Sequence, residues 1–240
     1  KEMMSYWGQV DWYNGGMEHV TRHLIYSRFW NQFLYDIGVV VHREPYKKRT
    51  AQGLILGSDN EKMSKSRGNI VNPMEIINEY GADTLRTFVL FISDYEMSTP
   101  WNDSGVKGAR RFLDKVWRMF PNVTDKEGYS PDLERIIHET IKGVSEDLEN
   151  LKFNTAIAKL MTLVNEYNKQ EKVTRSDYEV LLTMLNPIAP HVTEELWSML
   201  GHETLLVFET YPDYDESKLV KDEIRSEERR VGKECRYRWS

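Results

Sequence analysis

Short apolar, β-prone runs alternate with helix-length segments up to about residue 97, and from Ser98 onward only helical stripes remain. Val10-Asp11-Trp12-Tyr13 is strand-like and stops at Asn14-Gly15-Gly16, and helical character follows from Met17 to about Ile37. Residues 39–49 mix Val39, Val40 and Val41 with Arg43, Lys47, Lys48 and Arg49, the pattern of a strand edge running into a basic loop. Ala51 to Gly57 predicts a buried strand that ends on glycine. Asn72 as cap and Pro73 as first helical residue start a helix through Tyr80. Gly81 breaks it, and Leu85, Phe88, Val89 and Ile92 line one side of the next helix, Asp83 to Ile92.

In the second half, residues 102–120 set Val106, Ala109, Leu113, Val116, Trp117 and Phe120 on one side and Lys107, Arg111, Lys115 and Arg118 largely on another. Further helices are expected from Pro131 to about Leu151, from Phe153 to Tyr167, from Arg175 to Leu185 and from His191 to Leu200. Asn186-Pro187, Pro190 and Gly201 punctuate them. The expected architecture is therefore an α/β unit over residues 1–97 followed by an all-α unit over 98–212. Residues 213–240 are expected to be a linker and a basic tail without apolar periodicity, disordered or foreign to the rest.

Composition narrows the class. With 240 residues and 40% hydrophobic content the chain can bury one large core or two moderate ones. No apolar run nears the ~20 residues of a membrane span, and the first residues lack a signal peptide's apolar region. The single cysteine, Cys235, excludes internal disulfides and a cysteine-based zinc site, and fits the cytosol. The net charge of −6 hides a basic end: the last sixteen residues hold six Arg/Lys against three Glu, which leaves −9 on residues 1–224. Whole-chain charge thus does not announce nucleic acid, but residues 41–67 hold seven basic and three acidic groups and residues 103–118 five and two. RNA, if bound, is bound by patches.

Two stretches carry candidate chemistry. Glu61-Lys62-Met63-Ser64-Lys65-Ser66-Arg67-Gly68-Asn69 places three cations within six residues, spaced by hydroxyls and glycine. Lysine is a compact charge on a long stem, and serines and turn N–H groups add neutral donors, so the segment suits polyphosphate. A solvated basic loop is the plainer alternative. The second stretch follows Gly15-Gly16, where Glu18, His19, His23 and Tyr26 would put an acid, two imidazoles and a phenol on one helix face. These histidines could equally be satisfied core residues. A metal is a poorer reading, since two histidines without a third ligand make an incomplete site.

Lys-Met-Ser-Lys-Ser followed by Arg-Gly-Asn resembles the signature loop of class I aminoacyl-tRNA synthetases. Tyr13 to His19, with His23-Leu24-Ile25-Tyr26 and Arg28-Phe29-Trp30, is similar to the leucyl-tRNA synthetase segment in the second half of the split Rossmann fold. The valyl and isoleucyl enzymes place an aspartate and an Arg-Gly-Trp-Phe run in this region, and this chain has neither. Gly81-Ala82-Asp83-Thr84-Leu85-Arg86 resembles the family's link into its helical domain, and Leu185 to His191 with Glu194-Glu195-Leu196-Trp197 resembles that domain.

The resemblance implies roles for particular residues. Gly15, Gly16 and Glu18 would hold the ribose of ATP or of the adenylate; Tyr13, His19 and His23 would form the leucine pocket; Lys62 and Lys65 would be catalytic, with Met63, Ser64 and Ser66 completing the ATP-binding loop. Lys107, Arg111, Lys115 and Arg118 would face tRNA. The implied activity is leucine–tRNA ligation, with ATP accompanied by Mg²⁺, leucine and tRNA-Leu as partners, in the cytoplasm, by a full-length enzyme that is a monomer and binds no membrane. The family's first Rossmann half carries a His-x-Gly-His type motif, and neither it nor an editing domain occurs in these residues. The resemblance thus implies a C-terminal-half fragment, incompetent alone. The alternatives are a non-catalytic tRNA-binding remnant and another synthetase of the valyl, isoleucyl or methionyl group.

Overall fold

The computed structural model describes residues 2–219. The basic tail from Arg225, with Cys235, lies outside the described residues. A short helix α1 (Glu2–Trp7) leads into strand β1 (Val10–Gly16), a 3₁₀ turn (Met17–Thr21) and helix α2 (His23–Asp36). Strand β2 (Tyr46–Gln52) lies parallel to β1, with Gly15 opposite Ala51 and Gly16 opposite Gln52. Strand β3 (Ile55–Leu56) follows, then helices α3 (Pro73–Tyr80) and α4 (Ala82–Phe91) and strand β4 (Thr99–Pro100), parallel to β3.

The helical half comprises α5 (Asp103–Arg118), strand β5 (Val123–Thr124), α6 (Glu134–Glu149), α7 (Phe153–Tyr167), strand β6 (Val173–Thr174), α8 (Arg175–Leu185) and α9 (Pro190–Met199). Its stripes meet in one core, where Ile137, Ile141, Val144, Ile157, Leu160, Leu181 and Leu185 are fully buried. Capping fixes the helix starts. Asn72 Oδ1 accepts from Met74 N–H at 3.1 Å, and Asn102 does the same for Ser104 at 3.0 Å. Thr174 and Asp177 form a reciprocal capping box on α8.

Four expectations change. The basic segment is a strand rather than a loop: β2 takes in Lys47, Lys48 and Arg49, because pairing with β1 satisfies its backbone while the cations stay exposed. Lys48 Nζ rests 3.8 Å over the Trp12 ring and Lys47 pairs with Asp11. The expected strand over 51–57 breaks at Gly53, where a Cβ would come within 2.1 Å of Met97 O, so backbone crosses backbone there. The segment expected as one helix from Met17 is interrupted at Arg22 (φ −126°, ψ −100°), which separates Glu18 and His19 from α2. Three short strands, β4 to β6, also lie within the part expected to be purely helical.

A second, smaller core joins the halves. Phe88 of α4, Trp101, Val106 and Ala109 are buried together, and Ile55, Met63, Val71 and Ile76 pack on them. Phe88 and Trp101 meet edge to face at 4.9 Å. Helix α4 is the shared element, packing on α3 to one side and on α5, α7 and α9 to the other.

Candidate active site

Gly16 ends β1, and its missing side chain is filled by Glu18: a Cβ there would lie 2.2 Å from Glu18 Oε2. The turn is thus tight because residue 16 has no side chain and the carboxylate folds back over it. Tyr13, three residues earlier, hydrogen-bonds through its hydroxyl to His23 Nδ1 at 2.9 Å, with the two rings stacked at 5.5 Å. Tyr46 of β2 packs 4.7 Å from Tyr13, and Tyr26 meets His23 edge-on at 5.0 Å. His19 lies 6.3 Å from His23, ring to ring, and its Nδ1 is buried without a hydrogen-bond partner. A buried unpaired ring nitrogen carries a desolvation cost that an incoming polar group would relieve. Strand pairing, more than helix periodicity, assembles this group.

The lysine loop begins where β3 ends. Among the described residues two of its three cations are free, and its neutral residues are tied down. Asn69 organises it: Oδ1 accepts from Ser64 N–H at 2.8 Å, while Nδ2 donates to both Asp59 carboxylate oxygens at 3.1 Å. Those bonds, and the Glu61 N–H on the same carboxylate, hold the Asp59 pKa below its ordinary value. Ser64 and Ser66 hydroxyls meet at 2.8 Å, and Met63 anchors the loop in the smaller core. Arg67 is paired with Glu61 at 2.7 Å. Lys62 and Lys65 are exposed and, among the described residues, have no ion pair or side-chain hydrogen bond. The arrangement offers two ammonium groups from a stiff base. Asn69 and Asp59 escaped sequence reasoning; an Asx residue on either side of a lysine-serine turn is a signal that could have found them.

The structure brings Tyr13, His19 and His23 together, and Gly16 with Glu18. The lysine loop forms a separate group, and among the described residues no hydrogen bond or ion pair links the two. On α5, Lys107, Arg111 and Arg118 are exposed, whereas Lys115 is held by Asn165 of α7 at 2.9 Å.

The comparisons with known proteins match this layout. The family model of class I tRNA synthetases (I, L, M and V) covers residues 22–102, and that of the anticodon-binding domain of tRNA ligase covers residues 132–236. Methionyl-tRNA synthetase of Mycobacterium tuberculosis shares the fold, with a TM-score of 0.56 and 19% identity over 80% of this chain and 44% of its own. The two family models mark a class I tRNA synthetase, represented by part of its catalytic domain and its anticodon-binding domain. LeuRS of Agrobacterium radiobacter K84, solved as a ternary complex with tRNA and LeuAMS, superposes with a TM-score of 0.79 at 33% identity over 88% of this chain and 30% of its own. Leucine–tRNA ligase of Alkaliphilus oremlandii (strain OhILAs) is 56% identical over 220 residues, 92% of this chain. Within its class the chain belongs with the leucine–tRNA ligases. It spans 27% of the length of that curated relative.

Proposed function

We propose that this chain forms the signature-loop part of an ATP-dependent leucine–tRNA ligase. The observation that carries the proposal is the pair of uncommitted lysines, Lys62 and Lys65, on a loop fixed by Asn69, Asp59 and Met63 at the carboxyl end of a parallel strand. Leucine's carboxylate oxygen attacks the α-phosphorus of ATP, the bond to the β-phosphate breaks, and pyrophosphate leaves. The terminal ribose hydroxyl of tRNA-Leu then attacks the adenylate's carbonyl carbon, and AMP leaves. Positioning and charge neutralisation drive such transfers, so no protein nucleophile is required. Lys62 and Lys65 take up charge growing on the departing pyrophosphate. Mg²⁺ would accompany ATP as part of the substrate and, as a hard cation, would supply further charge neutralisation beside Lys62 and Lys65. Glu18 accepts from the ribose hydroxyls, with Gly15 and Gly16 allowing close approach. Tyr13, His19 and His23 line the leucine side chain's pocket.

The remaining catalytic half belongs against β1, β2 and α2. A two-stranded parallel pair is not self-sufficient, because parallel sheets are covered on both faces. Ile25, Phe29 and Trp30 of α2 are each more than half exposed, an apolar surface suited to such a cover. Activity, leucine choice and tRNA-Leu binding are therefore those of the whole enzyme, which we place in the cytosol. Among the described residues no helix is long and apolar enough to cross a membrane.

ATP–pyrophosphate exchange with leucine, isoleucine, valine and methionine tests the reading. The whole enzyme should exchange with leucine alone, and residues 1–240 by themselves should not exchange. Exchange driven by another of these amino acids removes the leucine assignment, and robust exchange by the isolated chain removes the need for a second catalytic half.

A further inference from the structure

A cleft of about 360 Å³ opens between α4, α5 and α9, with Tyr80, Asp83, Arg110, Asp114, Trp117 and His191 in its wall. Its volume lies in the range of small-ligand sites. Trp117 is 42% exposed. Among the described residues its indole stacks on no other ring and its Nε1–H has no hydrogen-bond partner. An aromatic face of that size left open on a helix is costly in water and suited to a flat partner. The other planar groups of the cleft are held in place. His191 is fixed through Nδ1 by Asp83 at 2.7 Å, its ring otherwise largely exposed, which leaves Nε2 available. Arg110 is fixed by Asp114 at 2.8 Å and by Tyr80 O at 3.0 Å, so its guanidinium plane is set before any ligand arrives.

Charge indicates what the flat partner is attached to. One position round α5 from the row of Arg110, Asp114 and Trp117 runs a row of Lys107, Arg111 and Arg118. All three are exposed and unpaired among the described residues. A cationic row beside an aromatic cleft matches a polyanion that carries flat bases, the combination by which single-stranded segments are held.

We propose that the α4–α5–α9 cleft receives one unstacked nucleobase of a bound RNA, stacked on Trp117 and edged by His191 and Arg110, while Lys107, Arg111 and Arg118 carry the adjoining phosphates. The inference rests on the tRNA-binding reading and adds a base-specific contact to it. A duplex offers only phosphates and sugar edges to such a surface, so the cleft selects RNA with a splayed base.

Binding of the full 240-residue chain to a tRNA-Leu transcript and to a blunt RNA duplex of similar length, followed over a salt series, tests this. Trp117→Ala should weaken the transcript about 5- to 150-fold, the range for one lost base stack, leave the duplex unchanged, and keep the salt slope. Trp117→Phe should recover most of the transcript binding. Arg111→Ala should weaken both RNAs and lower the salt slope by about one unit. Equal transcript affinity for Trp117→Ala and the unmodified chain overturns the base-slot inference and leaves tRNA binding standing, as does an equal loss on both RNAs. Failure of the unmodified chain to bind either RNA overturns both.

Discussion

Asp83 on α4 and His191 at the start of α9 are separated by 108 residues and meet at 2.7 Å, Oδ1 to Nδ1. The same carboxylate accepts the Val192 N–H at 2.7 Å, so a residue of the α/β part caps a helix of the helical part. Three residues on, Arg86 donates to the carbonyls of Ile188 (3.0 Å) and Pro187 (2.9 Å). Asp83 is nearly inaccessible, and its replacement by Ala leaves the Val192 N–H uncapped. We expect a loss of about 1–3 kcal/mol in urea unfolding. His191→Ala should cost less, since most of that ring is already in water. A larger loss for His191→Ala than for Asp83→Ala would show that the imidazole, and not the cap, carries the contact.

The lysine loop separates charge from scaffold. In the whole enzyme, Lys65→Ala should slow leucine-dependent pyrophosphate exchange by ~100-fold or more, the scale of one preorganised charge contact. Asn69→Ala removes the bonds to Ser64 and Asp59 and should lower the same rate by about 10- to 100-fold through misplacement of both lysines, with little change in Tm. A rate unaffected by Asn69→Ala would mean that Met63 alone sets the loop.

Asp177 is a fully buried carboxylate that accepts from Ser130 N–H at 3.0 Å, Ser130 Oγ–H at 2.5 Å and Thr174 N–H at 3.0 Å. It ties the start of α8 to the segment before α6. Asp177→Ala strands these donors and should destabilise the helical part by at least about 3 kcal/mol, while Ser130→Ala, which loses one of them, should cost about 1 kcal/mol. Chemical unfolding of the two variants compares them directly.

Alkaline pH probes the same core. Burial raises the phenols of Tyr167 and Tyr178 well above their ordinary value and pushes Tyr211 up to about 12. Each phenol stays protonated in the folded chain while the unfolded chain ionises from its ordinary value of 10.0. The stability they contribute is complete below pH 10 and is lost as pH rises through 12. A phenolate absorbance titration should show the buried tyrosines ionising only together with the loss of helical circular dichroism. Full titration of all thirteen tyrosines at pH 10.5–11 with the fold intact would contradict their burial.

The helical part was legible because each helix bears its own apolar stripe and because Asn186-Pro187, Pro190 and Gly201 punctuate the chain locally, as Asn72-Pro73 does at the start of α3. The lysine loop was legible for a similar reason, its order of residues being local. Strand β2 was not, because Lys47, Lys48 and Arg49 have no strand signal until β1 lies beside them. Nor could periodicity show that His23 bonds Tyr13 across the broken helix, or that Asn69 fastens Ser64 to Asp59.

The sequence by itself determined the helices, the turns that bound them and the run of cations over residues 62–67, since propensity, capping and charge spacing act over a few residues. Tertiary structure alone decided which lysines stay uncommitted, which imidazole finds a phenol, and that Asp83 and Arg86 seize the turn at residues 187–192. Those outcomes depend on contacts between groups far apart along the chain, whose meeting is set by packing of the two cores rather than by any local preference.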